Sequence, residues 1–229
     1  MRRAQPPANR GSQKWLQILV NEHQVLLNQQ LATLMGIQPQ EVHWLSPLKE
    51  DDYSEYTDSD FIEILSISLD KVPLESFWPG RGPVWDALGK TDRGDLLLVE
   101  AKAHIPEVVS SPTGASGRSL SRIRSSLDAT KEFLGSASRA DWSTCFYQYT
   151  NRLAHLYLFR ELNKLPACLV FLYFTNDEDM NGPKTQAEWE AAIQLLELFL
   201  GVRNHKLSKY VIHAFIDVRG LGAPFNNLI

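Results

Sequence analysis

The sequence predicts an α/β fold, a mixed β-sheet flanked by helices, on three observations. The run LLLVEAKA at 96–103 is short and apolar, follows the turn-forming segment KTDRGD and reads as a buried strand. Two further apolar runs of strand length lie at 167–174 and 210–218. Stretches with helical apolar period lie at 13–35, 141–163 and 185–202, so helices and strands alternate and must pack as layers.

Taken in order, residues 1–12 are polar, carry Arg2, Arg3 and Arg10 and lack an apolar stretch behind them. They are expected to be a disordered basic arm and not a secretory signal. Residues 13–229 are expected to form a single domain, because a chain of 229 residues suffices for one sizeable core. The helix predicted over 13–35 places Trp15, Ile18, Leu19, Val25 and Leu26 on or near one face. Glu22 falls on that stripe, four after Ile18 and four before Leu26, where a carboxylate either finds a partner or reaches solvent at the stripe edge. A Pro-containing connection leads to 52–69, whose irregular acids predict a surface helix rather than a Ca²⁺ loop. Strands at 84–88 and 96–103 then form a hairpin centred near Arg93. The Ser-, Gly- and Pro-rich stretch 108–121 is expected as a mobile loop beside the strand end, followed by helices at 120–135 and 141–163.

The chemistry concentrates in the hairpin. Alternation puts Leu96, Leu98, Glu100 and Lys102 on one face of the strand. The inferred register sets Asp86 opposite Glu100, with Cβ atoms roughly 4.5–5.5 Å apart. Two carboxylates facing each other in an apolar strand pair repel and resist desolvation, which a divalent cation relieves. Oxygen ligands suit Mg²⁺, with Mn²⁺ as a substitute, and Lys102 beside the metal would orient or help deprotonate water, or neutralise transition-state charge. The same trio also reads as a salt-bridge cluster on an edge strand. The burial pattern of LLLVEAKA favours a site, since unpaired ionisable residues seldom interrupt such a run. Further along, Gln148, Arg152 and His155 line up at i, i+4 and i+7. His104, two after Lys102, would share the face of Glu100 if the strand continues.

These residues resemble the motif of the PD-(D/E)XK nuclease superfamily, an Asp followed on the next strand by Glu-x-Lys, here Asp86 and Glu100-Ala101-Lys102. The Pro-Asp dipeptide is replaced by Trp85-Asp86, with Pro83 three positions before the Asp. The resemblance implies a restriction-endonuclease-like core of αβββαβ order. It also implies Mg²⁺ held by Asp86, Glu100 and the backbone carbonyl of Ala101, with Lys102 assisting water attack. Members often carry a Glu on the first core helix and a Gln on the helix after the Glu-x-Lys strand, for which Glu22 and Gln148 are the candidates. The implied activity is hydrolysis of nucleic acid, DNA foremost, and homodimers are an arrangement such nucleases use. The alternative is a catalytically inactive nuclease-fold module that binds nucleic acid or a protein, and a hydrolase of small phosphoesters is a third reading.

Composition bounds the partners. A net charge of −4 opposes tight non-specific nucleic-acid binding. The basic segment 118–139 nevertheless offers Arg118, Arg122 and Arg124, which with Arg152 are the candidate nucleic-acid contacts, or else form a solvated helix face. No apolar run approaches the roughly 20 residues a membrane span needs. Cys145 and Cys168 lack metal-ligand or disulfide-framework spacing, and the expected setting is a reducing cytoplasm.

Overall fold

A computed structural model describes residues 2–221, so Met1 and residues 222–229 of the expected arm and domain lie outside the described residues. In chain order the elements are strand β1 (Arg2–Arg3), helices α1 (Gly11–Glu22) and α2 (Gln24–Met35), strands β2 (Val42–Ser46) and β3 (Glu55–Tyr56), and short helices α3 (Ser59–Ile64) and α4 (Leu74–Phe77). Then follow β4 (Ala87–Thr91), β5 (Leu96–Lys102), α5 (Gly117–Leu134), α6 (Tyr147–Tyr157), β6 (Ala167–Thr175), α7 (Gln186–Leu200) and β7 (Val211–Asp217).

The protein is α/β, with a mixed five-stranded sheet of order β2-β4-β5-β6-β7 flanked by helices. β4 runs antiparallel to both of its neighbours, β2 and β5, whereas β5, β6 and β7 run parallel. β6, ACLVFLYFT, is buried at every position because a central parallel strand is covered on both faces. One face carries Leu88, Leu96, Leu98, Leu169 and Phe171 against Leu153 and Leu156 of α6 and Trp189 and Ile193 of α7. The other carries Ala87, Leu97, Val99 and Val170 against Leu16 and Leu19 of α1 and Leu27 and Leu31 of α2. Each Leu, Val, Ile or Phe side chain among them contributes on the order of 1.5–3 kcal/mol when withdrawn from water. Glu100 and Lys102 therefore project from the face that α6 covers, as alternation requires.

The hairpin register, Ala87 opposite Val99 and Leu88 opposite Leu98, centres on Arg93 as expected. Several expected elements differ. The helix predicted over 13–35 breaks at His23, whose φ of −128° and ψ of 33° are not helical, and the second half turns away as α2. Val25 and Leu26 are exposed as a result. The predicted helix over 52–69 is mostly irregular, with only β3 and the six-residue α3 ordered within it. β2, an edge strand bounded by Pro39 and Pro47, was hidden in what reads as a connection.

The basic arm, expected to be disordered, is instead fastened to the domain. β1 pairs antiparallel with β3, Arg2 bonds Asp51, and Gln5 donates its backbone N–H to Asp52 O at 2.9 Å. Gln17 of α1 then grips the arm from both sides, accepting from Ala8 N–H and donating to Pro6 O. The arm's charges are thus matched by the acids at 51–55, which no local pattern in either segment reveals. Where β5 ends, Gly182 packs so closely that a Cβ there would sit 2.2 Å from Ala103 O, so glycine lets the 176–183 loop close over the strand end.

Candidate active site

Asp86 lies one residue before β4, and its Oδ2 accepts from Ala101 N–H at 2.8 Å. A carboxylate thus takes the backbone donor of the next strand near the position where the ladder would continue. Glu100, 1% exposed, is bracketed by two cations. Lys102 Nζ bonds its Oε1, while Arg152 Nε donates to Oε2 at 2.7 Å and Arg152 Nη2 bonds the same oxygen. Lys102 Nζ also donates to Gln148 Oε1 at 2.9 Å, and Gln148 N–H in turn donates to Ser110 Oγ at 2.8 Å. Asp86, Glu100, Ala101, Lys102 and Gln148 all line one cavity of about 520 Å³. Ser12, near the start of α1, and Val109, Ser110 and Ser111 of the Ser-rich segment complete much of its wall.

Burial pushes the Asp86 carboxyl up to about 8, and the nearby Glu100 charge adds to that, against weaker pulls from Lys102 and Arg152. Glu100 goes the other way: burial opposes its charge, but Arg152 and then Lys102 outweigh burial and hold it below the usual range. One carboxylate of the pair is therefore compensated by protein cations and the other is not. Below that raised pKa a proton neutralises Asp86, and a hard cation, if bound, would take the proton's place. Among the described residues no group of three or more His, Cys, Asp or Glu gathers into a ready metal cage. The donor set on offer is two carboxylates and a backbone carbonyl.

Glu22, in contrast, is exposed at the end of α1 and is not part of the cavity; the break at His23 ends the stripe that suggested it. Two other acids are close to the trio. Glu107 lines the cavity, its Oε2 accepting Ala103 N–H at 2.7 Å and its Oε1 3.2 Å from His104 Nδ1. Glu55 of β3 accepts from Gln13 Nε2 at 3.2 Å and from Gln5 Nε2 at 2.9 Å. Burial raises its pKa against those two hydrogen bonds, and the charge of Glu100 raises it further. Glu107 had a faint signal, an acid just past the Glu-x-Lys strand. Glu55 had none, since it nears the site only through the β1–β3 pairing.

Arg152, an expected nucleic-acid contact, is buried; besides Glu100 it donates to Val84 O at 2.7 Å and Asn151 Oδ1 at 2.9 Å, and it stacks 4.6 Å from the Trp85 ring. It positions the site carboxylate instead of offering itself at a surface. Arg122 and Arg124 are exposed on α5, yet Arg122 donates to Glu75 O at 2.7 Å and Arg124 pairs with Asp141 at 3.3 Å. Arg118 is exposed in the first turn of α5. The three arginines do not line the cavity. Trp78 and Trp85 are buried in the core.

His155, one turn beyond Arg152, is fully buried among Phe61, Phe77, Trp78 and Trp85. Burial lowers its pKa from 6.5 to about 3. Between those values the unfolded chain binds a proton that the folded chain refuses, so stability falls as pH drops below 6.5 and is unaffected above it. Acidification from pH 7 to 5 should therefore remove about 2 kcal/mol through this residue alone. Urea titrations at both pH values should show that loss in the wild type and a correspondingly smaller one in His155→Phe; equal losses would contradict the assignment.

Among the described residues no helix is long and apolar enough to cross a membrane. No protein-family model matches the chain, and neither a curated protein nor a solved structure matches it with significance, so the functional reading rests on the arrangement of these residues.

Proposed function

We propose that the chain is a metal-dependent nuclease with a restriction-endonuclease-like core, hydrolysing phosphodiester bonds of nucleic acid, DNA foremost, by in-line attack of water. The observation that carries this reading is the convergence of Asp86, Glu100 and Lys102 in one open cavity at the end of β5. The succession α1, antiparallel β2-β4-β5, α6 and parallel β6 supports the αβββαβ order.

Two carboxylates and the Ala101 carbonyl fit Mg²⁺ or Mn²⁺, which accept one or two carboxylates and complete their shell with water and phosphate oxygens. When bound, such an ion supplies Lewis-acid polarisation and lowers the pKa of water. Lys102, steadied by Glu100 and Gln148, stands where it would orient the attacking water or neutralise charge on the phosphoryl oxygens. Arg152 fixes Glu100, while the Ser12, Ser110 and Ser111 side chains border the space a phosphate would occupy.

One observation favours a second reading. Both oxygens of Glu100 are already engaged by protein cations, as they would be in a catalytically inactive binding module that retains the trio as a structural cluster. A panel of labelled single- and double-stranded DNA and RNA, incubated with Mg²⁺, Mn²⁺ or EDTA, separates the two. The nuclease reading expects cutting with either metal, none in EDTA, and a metal-induced rise in Tm that Asp86→Asn abolishes. The absence of both, with no substrate cut and no metal-induced stabilisation, would refute it and leave the binding module.

A further inference from the structure

A second cavity, of about 580 Å³, shares no lining residue with the first. Its volume lies within the range of about 300–1,000 Å³ common to small-molecule sites. Phe61, Leu69, Leu74 and Trp78 supply apolar wall, stiffened by Pro73, Pro79 and Pro83. Asp58, Glu63 and Glu75 supply its charge, and no Lys or Arg lines it.

His155 is also part of the wall. Its Nδ1 lies 2.8 Å from Asn151 O, a carbonyl that can only accept, so Nδ1 carries the ring proton and Nε2 is a bare acceptor. Among the described residues Nε2 has no hydrogen-bond partner. An acceptor without a donor, buried at the back of an apolar cavity whose lining charges are all negative, is complementary to a ligand that brings N–H groups and positive charge and moves the Phe61 and Trp78 rings aside to reach it.

We propose that this cavity binds a small arylalkylamine, charged at neutral pH, its ring against Trp78 and Phe61 and its N–H groups satisfied by His155 and the acidic rim. Phosphates and other anions are excluded by the same charges. The site is independent of the nuclease reading, since it uses neither the trio nor a metal.

Calorimetric titration of the full chain with tryptamine, and with indole-3-acetate as its anionic counterpart, tests this. Tryptamine should bind saturably and raise Tm, with indole-3-acetate weaker by at least about tenfold. Ile67→Trp, or Ser68→Trp should the first variant fold poorly, fills the cavity from its wall and should abolish binding. His155→Phe keeps the aromatic cage but removes the acceptor, and should weaken tryptamine about tenfold. Equal affinity for the two probes, unchanged binding in a folded filled variant or in His155→Phe, or no saturable tryptamine binding would each overturn the proposal.

Discussion

Lys102→Ala is expected to lower metal-dependent cleavage by about 10²–10³-fold while leaving the fold intact, the scale found when one preorganised transition-state donor is removed. The fold should survive because Arg152 still neutralises Glu100 after the ammonium is gone. Comparison with Lys102→Arg adds a distinction, since a guanidinium keeps the charge but does not deprotonate in proteins. Partial recovery in Lys102→Arg would assign the lysine to charge neutralisation, and none would assign it to positioning or deprotonating water. Single-turnover cleavage with saturating Mn²⁺ gives the comparison. Unchanged rates in Lys102→Ala would remove the lysine from the chemistry altogether.

Arg152→Met should have the largest effect on stability. Glu100 would then keep only Lys102 as a compensating cation in a site 1% exposed, and breaking one partner of a buried ion pair typically costs about 3–5 kcal/mol. For a domain of this size that is a fall in Tm of roughly 10 °C. The Arg152→Met/Glu100→Gln double variant removes the stranded charge and should recover much of the loss, so the two substitutions couple strongly. Urea unfolding of wild type, both singles and the double measures that coupling. If the two single losses simply add, Arg152 contributes by packing on Trp85 and not by holding Glu100.

Much of this site was legible from local pattern alone. Asp86, Glu100 and Lys102 lie in a hairpin whose turn and alternation fix the register, so residue spacing translated directly into proximity. Gln148 followed from helical spacing together with the resemblance. Glu22 failed because periodicity describes a stripe only while the helix is continuous, and nothing at His23 announces a break. Glu55 was invisible for a different reason: a two-residue strand holds it, paired with another two-residue strand about fifty positions away. Arg152 was recognisable as a helix-face residue, but which way α6 is rotated is decided by packing of Leu153, Leu156 and His155 beneath it. β2 was missed because five residues between prolines carry too little alternation to stand out from a loop.

The fastened N-terminal arm ties the first residues of the chain to its most sensitive carboxylates. Arg3 lies opposite Glu55 in the β1–β3 ladder, Gln5 holds the Glu55 side chain, and Glu55 feels the charge of Glu100. Deletion of the first five residues would release Glu55 from one of its two side-chain donors and leave its position to Gln13 alone. Substitution at Gln5 would likewise act through Glu55 on the electrostatics around Glu100.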